Sequence, residues 1–329
     1  MEIALQILLL VVGFVILIKG ADWMIDGASS TASHFKISKL LIGLTIVAFG
    51  TSAPELAVSF ASLLNGTSDM LLGNVIGSNI LNILLLIGIG AVIRPIKIKK
   101  ETIAKELPLL LLITAVFVVL FLGTIFSDNH TFTRASAGIT LLTFCVFMFY
   151  IISTARKDRK AAKEVEKPKF KLGISLLLVV VGLAGIIGGA ELVVNSATNI
   201  AHTFGVSDRI IALTIVAFGT SLPELVTTIA AAKKNETELL VGNIIGSNIF
   251  NICIVLGLPA LIFGTVAPTM PTDTIGTISQ FLDLGIMTLA VVLLFIFSKT
   301  GRKITRGEGI AFLVVFLAYY SFVIYGAFA

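Results

Sequence analysis

Long apolar runs alternate with short polar or basic breaks along the whole chain. A membrane-crossing helix needs about 20 mostly apolar residues. Runs of that length predict spans near 3–21, 40–64, 70–93, 106–126, 135–154, 173–194, 209–232, 238–264, 280–298 and 309–328. Composition agrees: 57% of residues are hydrophobic, 13% are charged, and mean hydropathy is +1.04. A soluble domain carries about 25% charged residues. The expected fold is therefore an all-α polytopic membrane protein of about ten transmembrane helices. The chain opens Met1-Glu2 and turns apolar at once. It lacks the basic region and small-residue cleavage site of a secretory signal, so the first run is read as a retained span.

The breaks carry the charge. With the N-terminus outside, 22 of the 24 Lys and Arg fall on the cytoplasmic side, leaving only Arg134 and Arg209 outside. The positive-inside rule then places both termini outside and the basic linker Arg156–Lys171 in the cytoplasm. That linker reads as a solvated connector too short to hold a regulatory domain. The net charge of +5 thus reports orientation, not nucleic-acid binding. Cys145 and Cys253 lie singly in apolar runs, without metal or disulfide spacing, and read as packing residues. His34, His130 and His202 fall at span ends or in loops. Residues 127–134 and 268–276 read as external loops.

The runs also repeat. Leu44–Leu56 (LTIVAFGTSAPEL) matches Leu213–Leu225 (LTIVAFGTSLPEL) at twelve of thirteen positions, 169 residues apart. The same offset aligns Gly73–Ile83 (GNVIGSNILNI) with Gly242–Ile252 (GNIIGSNIFNI), and Gly20-Ala21 with Gly189-Ala190. The duplicated unit is thus about half the chain. The expected domains are a first repeat over 1–155, the linker over 156–172 and a second repeat over 173–329. Five spans per repeat is an odd number, so the second repeat enters the membrane from the opposite side. Inverted repeats of this kind are an architecture of secondary transporters, with the site at the repeat interface near the midplane.

Each repeat buries one carboxylate, Glu55 or Glu224, directly after a proline in an apolar run. A charged group at bilayer depth is costly and normally faces an interior cavity. Pro54 and Pro223 remove a backbone donor, and a broken membrane helix persists only where other groups satisfy its carbonyls. Thr51 and Glu55 share a helix face at i,i+4, with Ser52 one turn before Glu55. The second copy offers Thr220, Ser221 and Glu224. Ser78 and Asn82 form another i,i+4 pair, matched by Ser247 and Asn251. The set is all oxygen, without thiolate or imidazole, which suits hard cations such as Ca²⁺ and Na⁺. Two carboxylates balance one Ca²⁺ or two Na⁺, so the same ligands can serve competing ions. Asn74, Asn79, Asn243 and Asn248 are candidates either for the site or for hydrogen bonds between helices. Gly73, Gly77, Gly242 and Gly246 read as points of close helix contact.

The GTSAPE and GTSLPE stretches, each followed by GNxIGSNxxN, resemble the two α-repeats of the calcium/cation antiporter superfamily, most closely a prokaryotic sodium/calcium exchanger. The resemblance covers nearly the whole chain. It implies ten helices in two inverted five-helix repeats, with ion sites among the second, third, seventh and eighth. By motif position, Thr51, Glu55, Thr220 and Glu224 resemble calcium ligands. The backbone of Ala48 and Ala217, with Ser52, Ser78, Asn82, Ser221 and Ser247, resembles the sodium-site contributors. Asn251 stands where many exchangers carry Asp. The resemblance implies Na⁺ and Ca²⁺ as transported substrates, a prokaryotic plasma membrane as location, and no cofactor or obligatory protein partner.

Three other readings remain at this point. A buried Glu pair also carries protons, which allows Ca²⁺/H⁺ antiport. A cation channel would line its pore with rings of like groups, which suits two inverted carboxylates less well. An intramembrane enzyme would need a nucleophile–base pair or a metal cluster, and the sequence offers neither.

Overall fold

The computed structural model describes residues 2–125, 132–161, 167–204, 217–264, 266 and 274–328. Among them, eight helices are long and apolar enough to cross a membrane. A ninth crossing results if the bent pair Lys39–Thr51 and Ala53–Leu64 is one span. The expected span 209–232 begins outside the described residues, which resume with Ala217–Gly219 and Leu222–Lys233. The expected loops at 127–134 and 268–276 fall largely outside them too, as do His130 and Arg209.

The chain divides into two compact units, each drawing on both repeats. One comprises Met1–Pro54 and Lys157–Asn243, the other Glu55–Arg156 and Ile244–Ala329.

The first unit is built on two long helices, Glu2–Phe35 and Leu172–Thr203. At about 1.5 Å per residue, 34 residues span roughly 51 Å, well beyond a hydrocarbon core of about 30 Å. The expected first span, 3–21, is thus only the first part of a longer helix. The helix continues because its polar end has partners, Asp22 and Asp26 with Lys234 and Asp26 also with Lys169. The two long helices run antiparallel and touch through glycine. A Cβ at Gly20 would lie 2.7 Å from the Gly182 carbonyl oxygen, and one at Gly182 would lie 2.7 Å from the Gly20 oxygen. Gly13 and Gly189 meet in the same way. Under the 169-residue offset, Gly13 corresponds to Gly182 and Gly20 to Gly189. The contact Gly13–Gly189 is thus the repeat image of Gly20–Gly182, a self-complementary arrangement of the kind a two-fold axis produces. The linker is less free than its composition suggests. The helix Arg134–Ala161 runs into it, Asp158 accepts from the Ser38 amide, and the Phe170 carbonyl accepts from Ser30 and contacts the His34 ring at 2.7 Å.

The second unit packs the helix Ser68–Ile80 and its continuation Leu81–Ile87 and Gly88–Ile93 among Glu106–Ile125, Thr274–Lys299 and Arg306–Phe328. Phe117 and Phe312 are fully buried in it, and Phe312 meets Phe297 edge-on at 5.2 Å. The unit departs from all-α at two points among the described residues, one of them the isolated antiparallel bridge between Phe132 and Val266. At the other, Ile96–Lys97 pairs antiparallel with Lys303–Ile304. Both isoleucines point into the protein and both lysines outward, the period-two alternation of strands, which pins this register. Cys253 packs in the core as expected. Cys145 does not: it is exposed on the outer face of Arg134–Ala161. Of the glycines read as contact points, Gly242 abuts Leu40 and Gly43, whereas a Cβ at Gly73 or Gly77 meets nothing within 4 Å among the described residues.

Candidate site at the duplicated helix breaks

Both copies of the motif break their helix at the same residue. In the first copy the axis bends by 43° between Lys39–Thr51 and Ala53–Leu64. The hinge residue Ser52 has φ −87° and ψ 7°. Its equivalent Ser221 has φ −92° and ψ 3° and precedes the helix Leu222–Lys233. These are bridge-region conformations, sparsely populated and common at active sites. Pro54 and Pro223 account for the break, because neither can donate to the carbonyl four residues back. The helices restart alike and also end alike. Gly66 (φ 71°) and Asn235 (φ 61°), again 169 apart, both close their helices in the left-handed region that glycine and asparagine tolerate. The Thr67 amide then bonds the Ser62 carbonyl, and the Glu236 amide the Ala231 carbonyl, both at 2.8 Å.

Within the first unit, the break gathers polar groups from both copies. Ser52 Oγ donates to Glu224 Oε1 at 3.1 Å. Thr51 Oγ1 donates to Asn243 Oδ1 at 3.2 Å, and Asn243 Nδ2 donates to Thr227 Oγ1 at 3.3 Å. Thr227 in turn donates to the Pro223 carbonyl of the broken turn. Thr51, Ser52, Ser221 and Glu224 are all buried, as is Ala48, while Thr220 is half-buried. Ala217 opens the short helix Ala217–Gly219, so its carbonyl lies just before the break.

The second unit holds Glu55, Ser78, Asn82, Ser247 and Asn251, all buried. Asn74 Nδ2 donates to the Glu55 carbonyl at 3.2 Å and to Ser59 Oγ at 3.4 Å, tying the helix Ser68–Ile80 to the restarted helix Ala53–Leu64. Asn82 and Asn251 lie in the matched π-helical stretches Leu81–Ile87 and Asn251–Leu256. Such stretches are rare and concentrate at functional sites. The four other asparagines divide by position. Asn74 and Asn243 brace the broken segments, whereas Asn79 and Asn248 each donate to their own helix, to the Val75 and Ile244 carbonyls at 2.7 Å. Bracing was one of two readings the sequence left open for all four.

Several buried oxygens of this set have no hydrogen-bond partner among the described residues. They are Glu224 Oε2, Asn82 Oδ1, Ser247 Oγ and Asn251 Oδ1, together with the Asn251 amide nitrogen. Leaving such a group unsatisfied costs about 1–3 kcal/mol, more when it is charged. Oxygens held in this way are suited to accept a cation.

The family described as sodium/calcium exchanger protein matches residues 5–153 and 174–325 of this chain. The chain belongs to the sodium/calcium exchanger family. Its relatives include the sodium/calcium exchanger MaX1 of Methanosarcina acetivorans, 30% identical over an alignment of 351 positions, gaps included, that covers 96% of this chain and 98% of MaX1. The inner membrane protein YrbG of Escherichia coli is 40% identical over 77% of this chain and 79% of its own. Among solved structures, the sodium-calcium exchanger NCX_Mj soaked with 2.5 mM Na⁺ and 10 mM Sr²⁺ superposes with a TM-score of 0.82 at 32% identity, covering 97% of this chain and 99% of that one. Members of the exchanger family are transporters, not enzymes, and the chain is a multi-pass membrane cation antiporter.

Proposed function

We propose that the protein exchanges Na⁺ for Ca²⁺ by alternating access, with Glu55 and Glu224 as ligands shared between the two ions. Thr51 and Thr220 complete the Ca²⁺ set. Ala48, Ala217, Ser52, Ser221, Ser78, Ser247, Asn82 and Asn251 serve Na⁺. Two observations carry it: the helix breaks of matched geometry at Ser52 and Ser221, and the buried oxygens without hydrogen-bond partners among the described residues, Glu224 Oε2 in the first unit and Asn82 Oδ1, Ser247 Oγ and Asn251 Oδ1 in the second. A set of neutral oxygens with two carboxylates fits hard cations. The solved relative soaked with Na⁺ and with Ca²⁺ or Sr²⁺ supports the ion choice.

The architecture in this reading is ten helices in two inverted five-helix repeats, with both termini outside and the basic linker in the cytoplasm. The reciprocal glycine contacts of the antiparallel helices Glu2–Phe35 and Leu172–Thr203 support the inversion. The distribution of Lys and Arg supports the orientation.

The test is ⁴⁵Ca²⁺ flux in proteoliposomes with imposed Na⁺ or H⁺ gradients. Uptake driven by a Na⁺ gradient at clamped pH supports Na⁺ coupling. Uptake driven only by a pH gradient transfers the reading to Ca²⁺/H⁺ antiport, which the same carboxylates can perform. Ca²⁺ movement that needs no counter-ion would make the protein a channel. Glu55→Gln and Glu224→Gln should each abolish Ca²⁺ uptake while the protein stays monodisperse.

A further inference from the structure

Lys234 follows the helix that carries Glu224, and its ammonium group is held by the first long helix. Lys234 Nζ lies 2.7 Å from the Asp22 carbonyl oxygen, 3.4 Å from Asp22 Oδ1 and 3.1 Å from Asp26 Oδ2. Two residues on, Glu236 Oε1 takes Lys39 Nζ at 3.0 Å and the Ser29 hydroxyl at 2.9 Å. Asp26, Ser29, Lys234 and Glu236 line a polar cavity of about 350 Å³ together with Lys167 and Lys169, and the side chains of the Lys39–Glu236 and Lys234 pairs are 19–39% exposed. The pairs are therefore hydrated and separable, unlike a dry buried pair, whose disruption strands a charge.

The repeat offset shows what is missing at the other end. The equivalents of Lys234, Asp22 and Asp26 are Asn65, Glu191 and Asn195, and those of Lys39 and Glu236 are Asp208 and Thr67. The backbone around the two turns is the same, as the Gly66 and Asn235 conformations demonstrate. Only the charges differ. Asn65 and Glu191 are both exposed. The orientation proposed above accounts for the difference: lysines are retained on one face of the membrane, so the ion-pair cluster forms in one of the two repeats.

We infer that Lys234, with Asp22 and Asp26, is a one-sided latch that biases the exchanger toward the access state in which its basic face is closed. The inference rests on the inverted-repeat reading above. If the repeats exchange conformations between access states, every contact is replaced by its repeat image. The Lys234 pairs are then replaced by Asn65 opposite Glu191 and Asn195, which carries no ion pair. The two states of a symmetric exchanger would be equally populated. This latch favours one of them, and apparent affinity on the closed face falls with the fraction of competent protein.

Lys234 is a positioning residue, so the test reads sidedness as well as rate. In oriented proteoliposomes, Lys234→Gln should lower the Ca²⁺ half-saturation concentration at the basic face about fivefold or more relative to the other face. Lys234→Arg should preserve the wild-type ratio. Asn65→Lys, which supplies the missing cation at the opposite end, should shift the ratio the other way. A second readout does not depend on transport: labelling of Ser29→Cys from the basic face, with Cys145 and Cys253 replaced by Ala, should quicken in Lys234→Gln. Unchanged ratios and unchanged labelling overturn the latch, as does an Asn65→Lys shift of the same sign as Lys234→Gln. Faster labelling in a protein that fails to exchange Na⁺ for Ca²⁺ keeps the latch and rejects the exchange reading instead.

Discussion

Ser52 Oγ and Glu224 Oε1 are 3.1 Å apart although 172 residues separate them in sequence. The hinge serine of one repeat donates to the intramembrane carboxylate of the other. Ser221 and Glu55 occupy the equivalent positions. The bond orients Glu224 with one oxygen engaged and the other, Oε2, without a partner among the described residues.

Replacing Ser52 by Ala removes that donor and one candidate Na⁺ ligand. A hydrogen bond to a charged group contributes about 1.5–3 kcal/mol, and each 1.4 kcal/mol is tenfold in affinity. Ca²⁺ binding by Ser52→Ala should weaken by about tenfold or more, with the larger loss in Na⁺ competition. Calorimetric titration of Ca²⁺ at several Na⁺ concentrations measures both. Wild-type values in the mutant would make Ser52 a spectator at the hinge.

Asn243 offers a separate test. It accepts from Thr51 and donates to Thr227, so one buried side chain bridges the broken segments. Asn243→Ala removes both of these bonds and leaves Thr51 with the Ala48 carbonyl at 3.4 Å and Thr227 with the carbonyls of its own helix, at a cost of about 0.5–1.5 kcal/mol for each bond lost. The expected result is a lower melting temperature together with weaker Ca²⁺ binding, read by thermal shift with and without Ca²⁺. A mutant that melts normally would show that the network is not needed to hold the break.

Asn243 also marks the limit of what the sequence tells. The apolar runs, the duplication and the proline breaks are legible because each leaves a local trace in residue type or spacing. The reach of the helix Glu2–Phe35 is not legible, since Asp22 and Asp26 read as the end of a span until Lys234 supplies the partner that keeps them helical. The π-helical stretches at Leu81–Ile87 and Asn251–Leu256 leave no trace either, because an apolar run has the same composition at either helical pitch. Among the asparagines, chemistry alone does not separate Asn74 and Asn243, which brace the breaks, from Asn79 and Asn248, which bond their own helices. The candidate site is legible as a list of oxygens. Which of them engage one another is a property of packing.

The paired long helices give a prediction about stability. A Cβ at Gly182 would stand 2.5 Å from the Met24 amide nitrogen and 2.7 Å from the Gly20 oxygen, both backbone atoms with little room to yield. Overpacking of this kind costs about 1–3 kcal/mol, or more where backbones must part. Gly182→Ala should lower the melting temperature, and Gly182→Leu should prevent recovery of folded protein. Gly188 lies on the same helix, and a Cβ there meets nothing within 4 Å among the described residues. Gly188→Ala should therefore be tolerated. Equal behaviour of the two alanine variants in size-exclusion chromatography and thermal shift would deny the glycine contact a structural role.

The last prediction concerns charge movement. Glu55 and Glu224 are the acids of the proposed site, with Asn82 and Asn251 as neutral neighbours. One bound Ca²⁺ leaves that site neutral, and two Na⁺ would do the same, so two-for-one exchange would be electrically silent. The remaining oxygens of Ser78, Ser247, Asn82 and Asn251, with the backbone of Ala48 and Ala217, are numerous enough for a further ion, and Ser247 Oγ and both polar atoms of Asn251 are buried without hydrogen-bond partners among the described residues. A third Na⁺ carries a net charge of +1 through the membrane in each cycle. Asn251 is compatible with this count if it stands in for an Asp that is protonated in the loaded state, because a neutral amide and a neutral acid both offer a carbonyl oxygen. Exchange should then be electrogenic at three Na⁺ per Ca²⁺. Moving one charge through 100 mV is worth about 2.3 kcal/mol, so about 60 mV should shift the Ca²⁺ ratio at which net flux reverses by roughly tenfold. The measurement is the reversal point of Na⁺-driven Ca²⁺ flux in vesicles clamped at different potentials with a potassium ionophore. The reversal point depends only on the net charge carried per cycle, so Asn251→Asp should keep the voltage dependence if the introduced acid holds one protonation state throughout, and should abolish it only if that acid carries a proton with Ca²⁺ and releases it when Na⁺ binds. A wild-type reversal point that ignores voltage would mean two-for-one exchange and would remove the third Na⁺ from the site.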